Sequence, residues 1–128
     1  MYTVSVSTGI CGQVELVVQA DDTAAHLGTG DVAVLATPRI VGLCEEATVR
    51  ALSGHIPEGQ TSVGFRVEMS HVAPIRVGTT VVAAATLERT EGRRLVFNVS
   101  VSDQCGLVAA GRITRVLVDT TAFMDKAR

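Results

Sequence analysis

The sequence predicts an α+β protein in which an antiparallel sheet wraps around one long helix. Two patterns carry this prediction: residues 37–52 hold the only long helical periodicity, and four segments with strand-like character and short turns follow it. The composition agrees, because 47% of the residues are hydrophobic but only 3% are aromatic, and Val, Ala, Leu and Ile favour a sheet. At 128 residues, the chain is expected to form a single domain over residues 1–128.

The long helical pattern runs from Thr37 to Leu52. Thr37 is a suitable N-cap, Pro38 fits the first helical position, and Ser53-Gly54 can end the helix. At about 100° per residue the helix has one apolar face, which predicts that it is buried. The members of this face are Ile40, Leu43, Cys44, Ala47 and Ala51. Glu45 lies at the border of the face, where a carboxylate is either a rim residue or a functional group.

The strand patterns place two further polar residues on apolar rows. The predicted strands are Gly12 to Gln19, Thr61 to Val72, Thr79 to Thr90, Arg94 to Asp103 and Leu107 to Asp119. His71 ends a row formed by Val63, Phe65, Val67 and Met69, which predicts that this row faces the helix. Arg115 interrupts the apolar row of the last strand in the same way. Thr79 to Thr90 is nearly continuous Val, Ala and Thr, which predicts burial on both faces.

Two segments at the start of the chain are less regular. The residues before Gly12 are expected to add an edge strand or an ordered arm. In the segment from Asp21 to Ala36, Asp22-Thr23 can cap a single turn that ends near His26. Glycines then break the pattern. This segment is expected to form a wall or lid of a pocket.

Charge and cysteine content restrict the function classes. The net charge of −2 gives no reason to expect nucleic acid or an anionic membrane as partner. Three cysteines without a CxxC spacing suit a reducing compartment, so we expect a cytoplasmic protein. We expect neither a signal peptide nor a membrane-spanning helix, because residues 1–128 contain no apolar run of the required length. Neither a metal site nor another cofactor is expected, because no His, Cys and Asp cluster has ligand spacing.

Several short motifs between about residues 12 and 119 resemble those of one enzyme family. They are Thr23-Ala-Ala-His-Leu27, Ala36-Thr37, Val41-Gly-Leu43, Glu45, Gly64 with His71 seven residues later, and Glu91-Gly-Arg-Arg-Leu95. These motifs resemble the hotdog-fold acyl-CoA thioesterases, and within them the fluoroacetyl-CoA thioesterase family. The resemblance implies a hotdog fold and a catalytic set of Thr37, Glu45 and His71. It also implies that Gly64 and Arg115 belong to the substrate site, and His26 is expected to touch the pocket.

These residue types suit acyl transfer, although each has a structural alternative. A carboxylate can act as general base towards water or as the nucleophile that forms an anhydride, and the sequence leaves both roles open for Glu45. Thr37 could serve only as a helix cap, and His71 could be a core histidine with satisfied hydrogen bonds. Arg115 could be half of a structural ion pair. The competing function is a non-catalytic acyl-CoA-binding hotdog module; a dehydratase would need another Asp and His arrangement.

Two expectations concern the substrate and the assembly. The fluoroacetyl-specific enzymes carry a longer lid with gating phenylalanines, whereas residues 20–36 of this chain contain no aromatic side chain. We therefore expect a small-to-medium acyl-CoA substrate, with little advantage for a fluorinated acyl group. The family implies a homodimer or a dimer of dimers in which sheets join edge to edge. Glu45 and His71 are then expected to meet near the subunit boundary.

Overall fold

The computed structural model describes residues 6–128, which form one five-stranded antiparallel sheet with helices on its inner face and at its end. The strands are β1 (Cys11–Val17), β2 (Gln60–His71), β3 (Thr80–Glu91), β4 (Arg94–Asp103) and β5 (Gly106–Asp119). The helices are α1 (Ala24–Leu27), α2 (Thr37–Leu52) and α3 (Thr120–Lys126). In space the strand order is β1-β3-β4-β5-β2, so β1 and β2 form the two edges. This architecture confirms the predicted α+β class.

The long helix α2 has the predicted bounds and lies against the inner face of the sheet. All five members of its predicted apolar face are buried. The sheet and the helix meet closely at Gly12 on β1, where a Cβ atom would lie 2.5 Å from the carbonyl oxygen of Ala47. The opposing rows of β4 and β5 complete the core. These rows contain Leu95, Phe97, Val99, Val101, Ala109, Ile113 and Leu117, all at most 1% exposed.

The start of α2 differs from the prediction in one residue. Ala36 is the N-cap, with extended backbone angles, and Thr37 is the first helical residue. The cap has no side-chain hydrogen bond, so the interpretation of Thr37 as the capping side chain is wrong. The physical reason is that the Thr37 hydroxyl points instead to His71, on the neighbouring strand. The hydroxyl is therefore available for chemistry rather than used by the helix.

The strand β2 departs from strict alternation at a β-bulge. Its pairing with β5 shifts between Gly64 and Arg66, and Phe65 is the extra residue. Val67 and His71 pair with buried inner-face residues of β5, as predicted. Before the bulge the phase is reversed, because Gly64 pairs with the inward-facing Arg115. Phe65 is 56% exposed, so the prediction that Val63 and Phe65 share the helix-facing row is wrong.

Three smaller features also bear on the predictions. The outer face of β3 is only partly covered, so the expected burial on both faces holds for one face alone. The last residues form the short helix α3, capped by the Asp119 side chain, which residues 120–128 do not indicate by any clear pattern. The edge strand or arm expected before Gly12 lies partly outside the described residues. Within them, Val6 is buried and the Gly9 amide donates to the Leu87 carbonyl at 2.9 Å.

Candidate active site

A hydroxyl and an imidazole meet where α2 begins and β2 ends. The Thr37 Oγ1 and His71 Nδ1 atoms are 2.8 Å apart. On its other side, the ring nitrogen Nε2 of His71 lies 2.9 Å from the carbonyl oxygen of Ala73. A carbonyl can only accept, so the hydrogen of the neutral ring is on Nε2, and Nδ1 accepts from the Thr37 hydroxyl. This arrangement leaves the Thr37 oxygen polarised by a base.

A cavity of about 370 Å³ opens beside this pair. Its lining residues come from the irregular segment before α2, from the start of α2 and from the chain after β2. They are Ala24, Thr29, Val34, Leu35, Thr37, Pro38, His71, Val72, Ala73 and Pro74. The irregular segment therefore does form a pocket wall, as its position in the sequence suggested. The lining is mostly aliphatic, which suits a short hydrocarbon chain.

A second polar group lies further along α2. The Arg115 Nη1 atom of β5 is 3.5 Å from the Glu45 Oε2 atom. The other guanidinium nitrogens of Arg115 bind Ser62 on β2, with Nε 2.8 Å from the hydroxyl and Nη2 3.0 Å from the carbonyl oxygen. Burial lowers the pKa of Arg115, and the Glu45 carboxylate opposes this effect. Arginine stays charged in proteins, so Glu45 faces a fixed positive charge.

Gly64 provides the space that the Glu45 carboxylate occupies. A Cβ atom at this position would lie 2.7 Å from Glu45 Oε2, which is too close for a real contact. The glycine thus lies on the same inner face as Arg115, its direct partner on β5. Because 39% of the Glu45 side chain is exposed, water and substrate can reach the carboxylate.

The two polar groups do not meet within one chain. Thr37 and Glu45 are eight residues apart on α2, which separates their backbones by roughly 12 Å along the helix axis. The structure therefore pairs Thr37 with His71 and Glu45 with Arg115, but it does not unite all four side chains. His26 is not among the cavity-lining residues; its exposed ring lies 3.9 Å from Asp21 on the surface.

Other side chains that could carry chemistry have structural explanations. Cys44 is fully buried, and burial raises the pKa of its thiol to about 12, so the thiolate needed for nucleophilic attack is not formed near neutral pH. Glu46 lies on the exposed face of α2, 3.4 Å from Arg50. Residues 6–128 contain no group of three His, Cys, Asp or Glu side chains that could hold a metal ion. They also contain no helix that is long and apolar enough to cross a membrane.

The fold is that of the hotdog thioesterases, and comparisons with known proteins define the family. The family model described as fluoroacetyl-CoA-specific thioesterase matches residues 18–121. The fluoroacetyl-CoA thioesterase of Streptantibioticus cattleyicolor is 36% identical over 95 residues, which span 74% of this chain and 68% of that protein. The chain therefore belongs to the fluoroacetyl-CoA-specific thioesterase family.

Solved structures agree with this assignment. A point mutant of the fluoroacetyl-CoA-specific thioesterase FlK, in complex with fluoroacetate and CoA, is 31% identical. It superposes with a TM-score of 0.85, covering 92% of this chain and 99% of that chain. A hot-dog-like protein from Thermanaerovibrio acidaminovorans is 28% identical with a TM-score of 0.86, over 93% and 88% of the two chains. These matches confirm the hotdog fold and the interpretation as a thioesterase rather than a binding module.

Two contributors to the site were not found from the sequence. Ser62 orients Arg115, and the Ala73 carbonyl fixes the tautomer of His71. A serine before the bulge reads as an outward residue under strict alternation, so no pattern singled it out. A backbone carbonyl carries no side-chain signal at all. The Ala73-Pro74 pair was interpreted only as a strand end, although a residue before proline is held in an extended conformation that can aim its carbonyl.

Substituting Gly64 by Ala should reduce thioesterase activity without unfolding the protein. The added methyl group would displace the Glu45 carboxylate, and the flexible end of that side chain can move at little cost in stability. Steady-state assays of thiol release should show a lower kcat, while thermal unfolding stays near that of the parent protein. Gly42→Ala lies on the exposed face of α2, where the nearest side-chain atom to an added Cβ is the Arg39 Nη1 atom at 3.9 Å; it is the matched control and should retain activity. Equal activity of both variants would show that the position of Glu45 is unimportant.

Proposed function

We propose that this thioesterase hydrolyses small-to-medium acyl-CoA esters and that Thr37, Glu45 and His71 carry the reaction. Two side-chain pairs support the proposal. The Thr37 hydroxyl is hydrogen-bonded to the His71 imidazole, and the Glu45 carboxylate lies beside the buried guanidinium of Arg115. The CoA complex of the relative supports CoA as the carrier of the acyl group. The mostly aliphatic cavity beside Thr37 is the proposed acyl site.

In the proposed reaction, the nucleophile that attacks the thioester carbonyl is either the Glu45 carboxylate or a water molecule that Glu45 deprotonates. In the first case an anhydride forms, the C–S bond breaks, and water then hydrolyses the anhydride. In the second case Glu45 takes the proton of the attacking water and the tetrahedral intermediate expels the thiolate. His71 assists protonation of the leaving thiolate. The Thr37 hydroxyl donates its hydrogen to His71, and its oxygen orients the water by accepting a hydrogen bond from it. Products are the free acid and CoA.

We propose that the complete site forms between two copies of the chain. The strand β2 lies at the sheet edge, and its Phe65 and Val67 side chains are 56% and 40% exposed. Long apolar edges favour pairing with another strand. If two β2 strands pair antiparallel about a two-fold axis near Val67, Gly64 of one chain lies opposite the partner's His71 to within about one residue. Glu45, which touches Gly64, would then face the Thr37 and His71 pair of the partner.

The proposed assembly is a dimer, or a dimer of such dimers. The proposed location is the cytoplasm. Cys11 and Cys105 are exposed and unpaired, and free exposed thiols suit a reducing compartment. A single chain would leave the carboxylate about 12 Å along the helix from the hydroxyl, which is too far for direct cooperation at one carbonyl.

Glu45→Gln should nearly abolish thiol release and leave the fold and the oligomeric state unchanged. Gln keeps the shape of Glu but cannot act as a base or a carboxylate nucleophile, and removal of a general base typically costs ~10²–10⁴ in rate. Glu46→Gln is the matched control on the next residue, because Glu46 only forms an exposed pair with Arg50. Similar kinetics for the two variants would contradict the proposed role of Glu45.

Mixing two inactive variants tests whether the site spans the subunit boundary. In a hybrid of Glu45→Gln and His71→Asn subunits, one of the two shared sites would contain an intact Glu45 and an intact partner's His71. Random exchange of subunits should therefore restore about a quarter of the parent activity under a two-fold symmetric arrangement. The measurement is thiol release after co-refolding, with each variant refolded alone as the control. No recovery in hybrids verified by mass spectrometry would place the site within one chain.

Fluoroacetyl-CoA should have little advantage over acetyl-CoA as substrate. Fluorine and hydrogen differ little in size, and a small apolar difference is worth only about 1–3 kcal/mol in a pocket. Residues 20–36 have no aromatic side chain to exclude water, and Val34 and Leu35 can contact a longer chain. The measurement compares kcat/KM for fluoroacetyl-, acetyl-, butyryl- and hexanoyl-CoA. A preference of several orders of magnitude for fluoroacetyl-CoA would contradict this prediction.

A further inference from the structure

Arg115 makes unequal contacts with its two neighbours. The side chain is only 8% exposed, and its Nε and Nη2 atoms bind the hydroxyl and the carbonyl oxygen of Ser62 at 2.8 and 3.0 Å. The contact with the Glu45 carboxylate is longer, at 3.5 Å, and uses Nη1 alone. Most of the hydrogen bonding of the guanidinium is therefore directed towards a serine, although a carboxylate is within reach.

This geometry differs from the usual preference of the two groups. A guanidinium that is free to move forms two parallel hydrogen bonds with a carboxylate, at about 2.7–2.9 Å each. Such a bidentate pair would occupy both oxygens of Glu45 and would stabilise its ionised form strongly. A carboxylate held in that way is a poor base and a poor nucleophile. The contacts with Ser62 oppose this collapse, because they engage two of the three guanidinium nitrogens on the other side.

We infer that Ser62 is a positioning residue that holds the Arg115 guanidinium back from Glu45. The arginine then supplies charge that orients the carboxylate, while one Glu45 oxygen stays free for water or for the thioester. This inference rests on the proposed role of Glu45 in the reaction. The bulge at Phe65 makes it possible, because it brings Ser62 and Gly64 to the inner face together.

Few charged groups other than Arg115 lie near the Glu45 carboxylate. Within residues 6–128, Arg115 is the cationic side chain within ion-pair distance of Glu45. On α2 itself, the adjacent Glu46 points to the exposed face and pairs with Arg50. From β2, the neighbouring groups at Ser62 and Gly64 carry no charge. In the proposed dimer, the partner's His71 is the additional titratable group that faces the carboxylate.

Ser62→Ala removes the hydroxyl acceptor and should let the guanidinium move towards Glu45. The guanidinium should then form two hydrogen bonds with the carboxylate, at about 2.7–2.9 Å each, and occupy the Glu45 oxygen that it does not contact in the parent protein. A crystal structure of the variant measures these distances directly. The plateau kcat should fall at least about tenfold with little change in KM, because a misplacement of about 1 Å can cost about 10²-fold.

Matched variants separate positioning from general damage. Ser62→Thr keeps the hydroxyl and should recover most of the rate, whereas Ser62→Cys, with a similar shape and a weak acceptor, should behave like Ser62→Ala. Ser102→Ala removes a hydroxyl from an exposed position of β4, away from the edge strand, and should leave activity unchanged. Thermal unfolding and sedimentation check the fold and the assembly of every variant, and Ser62→Cys carries the test if Ser62→Ala does not fold.

A double-mutant comparison tests whether Ser62 acts through Arg115. In an Arg115→Gln background, Ser62→Ala should not lower kcat further. An additive loss of rate would overturn the inference, as would an unchanged distance from Arg115 to Glu45 and an unchanged rate in Ser62→Ala itself. The proposed function fails separately: if Glu45→Gln retains parent activity, Glu45 has no role, whatever Ser62 does. If Glu45→Gln is inactive and Ser62→Ala behaves like the parent protein, only the positioning role is wrong.

Discussion

The β-bulge at Phe65 is the constraint on which the geometry of the site depends. Gly64 and His71 are seven residues apart, and strict alternation would place them on opposite faces of β2. The extra residue resets the phase, so that Gly64 faces Glu45 and His71 faces Thr37 on the same inner surface. It also turns Phe65 outward, where the Arg94 guanidinium lies 4.7 Å from the ring centre. Bulges bend a strand locally and often lie beside functional sites.

The helix α2 imposes the second constraint, because it carries both candidate groups but separates them. Thr37 is at its first residue, whereas Glu45 lies two turns later. Each group finds its own partner from the sheet: His71 from the end of β2, and Arg115 from the middle of β5. One chain therefore presents two separate polar pairs on one surface, both next to the edge strand β2. The edge pairing that we propose is the simplest way to bring unlike pairs together, since a two-fold axis exchanges the ends of the strand.

Much of this architecture followed from the sequence because it depends on periodicity. The bounds of α2 and β4, the buried face of α2 and the inward position of Arg115 were all predicted. The bulge was not predicted. Apolar residues occur in both alternating sets of β2 positions, so the pattern cannot show where the inward-facing set changes from one to the other. The capping role of Thr37 was wrong, because Thr is preferred at caps on average and only tertiary structure supplies His71 as a competitor. Ser62 could not be found, because its function requires knowing where Arg115 points.

The wall of the cavity beside Thr37 is fixed by hydrogen bonds rather than by aromatic packing. The buried Asp22 carboxylate accepts hydrogen bonds from Arg39 Nε at 2.8 Å and from the backbone amide of Gln19 at 2.8 Å. The backbone carbonyl of Asp22 accepts from the backbone amide of Ala36 at 2.9 Å. Because Arg39 lies in the first turn of α2, these bonds tie the wall to the helix start that carries Thr37. Wall and hydroxyl are thereby held as one unit. Residues 20–36, which form this wall, contain no Phe, Tyr or Trp. If the cavity is the acyl site, as we propose, the length and shape of its aliphatic lining would select the acyl group.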